Sequence, residues 1–113
     1  AYKKAECLFQ LCGIELSQTV PNFAAADAQF NAGLALAAAV AGNGAAKAES
    51  SARAMLDLGW AYIRQGRLLV GDWGVNARYW FDLAKTDYYG TAAWIATECD
   101  AGLSWLDDPA NGA

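Results

Sequence analysis

From Phe23 onward, Phe23, Ala26, Phe30, Gly33, Leu34, Ala37 and Ala41 step along the chain by threes and fours, with Gly33 and Leu34 as an adjacent pair. That spacing lines one face of an α-helix. It predicts a helix over residues 23–41, started by Asn22 as N-cap and ended by Gly42-Asn43-Gly44 in the manner of a left-handed cap. A preceding helix is read over residues 4–17, with Cys7, Leu8, Leu11, Cys12 and Ile14 as its apolar side. Gly13 weakens it by about 1 kcal/mol relative to alanine, and Pro21 breaks the chain before the next segment.

A third helix is predicted over residues 46–65, with Ala48, Ala52, Met55, Gly59, Tyr62 and Ile63 facing inward. Residues 66–71 read either as its extension or as an apolar loop. A fourth helix begins near Asp72 or Gly74 and turns Ala77, Trp80, Phe81 and Ala84 inward, with Arg78 and Asp82 paired outside. The fifth covers residues 89–106. Ala92, Ala96, Cys99, Leu103 and Leu106 form one side, and Trp94, Ala101 and Trp105 another. No strand candidate is longer than Leu68–Val70. The expectation is an all-α fold: a compact array or bundle of about five helices, with stacked helical hairpins as one form. Residues 1–106 make a single domain, and residues 107–113 a polar tail expected to be mobile.

The third and fourth segments carry a further pattern. Leu58-Gly59-x-x-Tyr62-x-x-x-Gly66 resembles the first helix of tetratricopeptide and Sel1-like repeats, and Ala77-x-x-Trp80-Phe81-x-x-Ala84 is similar to their second. Asp27 to Gly33 and Ala101-Gly102-x-x-Trp105 echo the first-helix motif more faintly. The resemblance covers residues 54–84 and implies a scaffold that binds peptides or partner proteins without catalysis. Two spacings depart from it. Gly33, Gly59 and Gly102 lie 26 and then 43 positions apart, and Tyr62 and Ala77 stand about six residues too far from each other for a tetratricopeptide unit.

Composition narrows the function mainly by exclusion. The 113 residues hold no histidine, so the commonest metal ligand and neutral-pH base is missing. No serine–histidine or cysteine–histidine pair can form. Cys7, Cys12 and Cys99 lack close zinc-ligand spacing, and their odd number cannot close into disulfides alone. They are expected to be reduced and partly buried, which points to a reducing compartment. Residues 40–47 carry two glycines and a lysine but follow a helix, so they read as an interhelical turn and not a phosphate loop. No catalytic residue, metal or cofactor is expected.

A net charge of −4 and a pI near 4.5 disfavour direct binding to nucleic acid or to an anionic membrane surface. No apolar run approaches the roughly 20 residues of a membrane span. No signal peptide is visible, and Ala1-Tyr2-Lys3-Lys4 reads as a start exposed by loss of an initiator Met. The expected location is intracellular or within an assembled particle.

Two surface features remain. Glu49, Arg53 and Asp57 form an alternating ladder four residues apart, read by default as a solvated face and otherwise as a charged contact surface. Aromatic residues crowd the C-terminal half, where adjacent pairs such as Tyr79–Trp80 and Tyr88–Tyr89 cannot all turn inward. Trp73, Tyr79, Tyr88, Tyr89 and Trp94 are therefore the candidates for contact with a protein partner or for self-association, since tryptophan and tyrosine dominate interface energetics. The functional expectation is a non-catalytic interaction or assembly domain. It takes two concrete forms, a structural subunit of an assembly such as a virus particle and a repeat-like adaptor. The competing class is a small-ligand-binding or enzymatic domain whose aromatic pocket is oriented by Asp72 or Asp82.

Overall fold

The computed structural model describes residues 2–38, 44–85 and 93–112. These form five main helices: α1 (Tyr2–Leu16), α2 (Phe23–Ala38), α3 (Gly44–Ala61), α4 (Trp73–Leu83) and α5 (Ala93–Asp107). No strand occurs among the described residues. The fold is an all-α array of five helices.

Local chemistry sets the boundaries. Ala25 N–H donates to Asn22 Oδ1 at 3.0 Å, the N-cap bond that starts α2. Asn22 N–H in turn donates to Glu15 Oε1 at 2.9 Å, so the Glu15 carboxylate ties the end of α1 to the start of α2. The proposed cap at Gly42-Asn43-Gly44 lies in part outside the described residues. The ambiguous stretch after residue 65 resolves as helix. α3 runs directly into a π-helical turn (Tyr62–Gly66) and one last α-turn (Arg67–Leu69) before the chain extends at Val70. Residues 107–113 were expected to be loose, but a one-turn 3-10 helix (Pro109–Asn111) follows α5. Asp108 caps it by accepting from Ala110 N–H, and Asn111 Nδ2 donates to Trp105 O at 2.8 Å.

Contact pairs fix the order and direction of the helices. Gly33 of α2 lies against Ala5 and Phe9 of α1, so α1 and α2 form an antiparallel hairpin. Gly66 meets Trp73 and Gly59 meets Phe81, so α3 and α4 form a second one. Between hairpins the directions agree. Gly13 of α1 faces Asp57 of α3, and Gln65 donates to Gln18 O at 3.1 Å. Arg53 lies at Trp94 and Arg67 at Trp105, so α5 runs the same way as α3. The result is a row of three parallel helices, α1–α3–α5, with α2 and α4 behind it. The second row touches through Phe30 and Trp80, whose ring centroids are 5.1 Å apart. The slab measures 44 × 28 × 17 Å.

The core lies between the two rows. Phe30, Met55, Leu58, Phe81 and Ile95 are its largest fully enclosed side chains. The expected inner face of α4 is buried as read: Ala77, Trp80, Phe81 and Ala84. Two faces need correction. In α1 the buried series is Ala5, Phe9, Cys12 and Leu16, whereas Cys7, Leu11 and Ile14 are exposed. The slot at Gly33 that admits the Phe9 ring sets this rotation, and a count of apolar letters misses it. In α5 the buried series is Ile95, Cys99, Gly102 and Leu106, with Leu103 half-buried. Arg78 reaches across to Asp107 of α5, a contact the pairing with Asp82 did not anticipate.

Candidate functional site

α3 is the centre of the array and is enclosed on nearly every side. From Ser51 to Gly66 the residues outside the interior are Arg53, Asp57, Trp60, Arg64 and Gln65. With Arg67, four of them fall at 53, 57, 60, 64 and 67, alternating steps of four and three that draw a single stripe along the helix. The stripe faces the side of the α1–α3–α5 row that α2 and α4 leave open.

Two confluent grooves run along it. The first, about 560 Å³, lies between α1 and α3 and is lined by Phe9, Gln10, Gly13, Ile14, Ser17, Arg53, Ala54 and Asp57. The second, about 580 Å³, continues between α1, α3 and α5 past Trp60, Arg64, Gln65, Trp94 and Glu98. Gly13, Ser17 and Asp57 belong to both. No lining residue comes from α2 or α4.

The arginines of the stripe are held in an unusual way. Arg53 lies over the Trp94 ring at 5.2 Å, and Arg64 over Trp60 at 5.5 Å. Arg67 lies over both Trp105, at 5.5 Å, and Trp73, at 6.0 Å. Each contact is worth about 0.5–1 kcal/mol at an exposed site. Among the described residues none of the three has a carboxylate within ion-pairing distance; the ion pairs present are Arg78–Asp107 and Lys85–Asp100. A guanidinium drawn over a ring by cation–π attraction keeps N–H donors for other acceptors. Asp57 sits between Arg53 and Arg64. Burial pushes its carboxyl above the usual range, and the two arginines draw it back.

The structure distributes the aromatic candidates over different places. Trp94, 43% exposed, is at one end of the stripe. Trp73 is half-buried at the other end, its ring 6.1 Å from that of Trp105. Tyr79, 56% exposed, lies edge-on to Trp80 on α4, away from the grooves. Tyr88 and Tyr89 lie outside the described residues. Asp72 is exposed and accepts from Asn76 Nδ2 at 3.0 Å; Asp82 is exposed on α4, and neither lines a groove. Trp60, Arg64, Arg67 and Trp105 were not singled out as site residues, although the four–three spacing of the stripe was readable.

Three other groups bear on chemistry. Cys12 and Cys99 are buried free thiols, and burial, reinforced by neighbouring carboxylates, pushes them up to about 12 and about 11. Cys7 is also free but exposed, where partial burial was expected. Among the described residues no three His, Cys, Asp or Glu side chains cluster so as to hold a metal ion, and no helix is long and apolar enough to cross a membrane.

No protein-family model matches this chain, and no curated protein or solved structure matches it either.

Proposed function

We propose that the protein is a non-catalytic helical interaction domain. It receives a protein partner along the open face of the α1–α3–α5 row. The observation that carries this reading is the exposed stripe of α3. From Ser51 onward α3 leaves open one line of residues in which three arginines lie over tryptophans, with no carboxylate of the described residues within ion-pairing distance. Groove shape, aromatic content and arginine content are the features that distinguish interface centres from ordinary surface.

Site-specific photo-crosslinking tests the proposal. A photoreactive residue is placed at Gln10, which lines the groove, or at Tyr79 on α4, and the full chain is exposed to extract of the source cells. Crosslinks from position 10 that are absent from position 79 are expected. Crosslinks from position 79 alone would move the contact surface to the aromatic back of α4.

A further inference from the structure

We draw no further inference here: the strongest candidate, the exposed stripe of Cys7, Leu11 and Ile14 along α1, is an apolar helix face, and nothing in the structure shows what covers it.

Discussion

Phe81 lies so close to Gly59 that a Cβ added to the glycine would stand 2.6 Å from the ring. A Cβ on Gly102 of α5 would come closer still to the same ring. The two glycines thus form a slot through which α4 inserts its aromatic side chain between α3 and α5. Since Phe81 is fully buried, the ring has nowhere to retreat. Gly59→Ala and Gly102→Ala should each destabilise the fold by about 1–3 kcal/mol, the usual cost of overpacking. That exceeds the roughly 1 kcal/mol of helix propensity that alanine would contribute. Gly13 supplies the opposite sign. A Cβ there would lie 3.9 Å from Asp57 Oδ2, an ordinary contact, so Gly13→Ala should raise stability by up to about 1 kcal/mol. Urea denaturation of the three variants measures all three effects.

That slot also shows what was legible beforehand. Gly33, Gly59 and Gly102 stood out in the sequence as small residues within helices, and Gly33 admits Phe9 as the other two admit Phe81. Helix number, the all-α class and the inner face of α4 followed from periodicity, because aromatic and alanine positions there share one phase. α1 misled because Cys7, Leu11 and Ile14 are apolar yet exposed, while small Ala5 belongs to the face that is buried. Which phase wins depended on Gly33, a partner 24 residues from Phe9 along the chain and invisible to a local pattern. The arginine stripe was half visible. Arg53 and Asp57 were read as a ladder, and Trp60 lies four residues before the Arg64 it holds. The rings that hold Arg53 and Arg67 come from α5 and from the start of α4, which only the tertiary fold brings near.

Thiol chemistry should separate the three cysteines. Burial suppresses ionisation of Cys12 and Cys99 and also blocks access to them, while Cys7 is exposed on α1. The thiolate is the reactive form. An aromatic disulfide reagent should therefore label a single site quickly in the native protein and all three after unfolding in guanidinium. Cys7→Ser should abolish the fast phase. Rapid labelling of a second cysteine in native buffer would place Cys12 or Cys99 nearer the surface.

Asp27 gives the stability a pH dependence. Its Oδ2 accepts from the Tyr62 hydroxyl at 3.3 Å, and its Oδ1 is enclosed without a hydrogen bond from the described residues. Burial pushes the carboxyl upward, against the pull of the Tyr62 bond. A carboxyl raised in the folded state loses its proton later than in the unfolded chain, so folding is favoured at acid pH. This contribution is present below the unfolded value of about 3.9 and falls away as pH rises through the folded value. Asp57 has the same sign. Asp27→Asn keeps an acceptor for Tyr62 and removes the charge. Its melting temperature at neutral pH should equal or exceed that of the parent, and its stability should decline less as the pH is raised from about 4.

The tryptophans divide by what surrounds them, and this division separates fold from site. Trp80 is 6% exposed and packs on Phe30 where α4 meets α2, so Trp80→Ala should cost about 3–5 kcal/mol. Trp94 is 43% exposed at the groove, and Arg53 lies over its ring. Trp94→Ala should cost about 1 kcal/mol or less in stability. A double-mutant cycle with Arg53→Gln, followed by urea denaturation, should show that the two side chains couple by about 0.5–1 kcal/mol. Strictly additive effects would mean that the guanidinium and the ring do not hold each other.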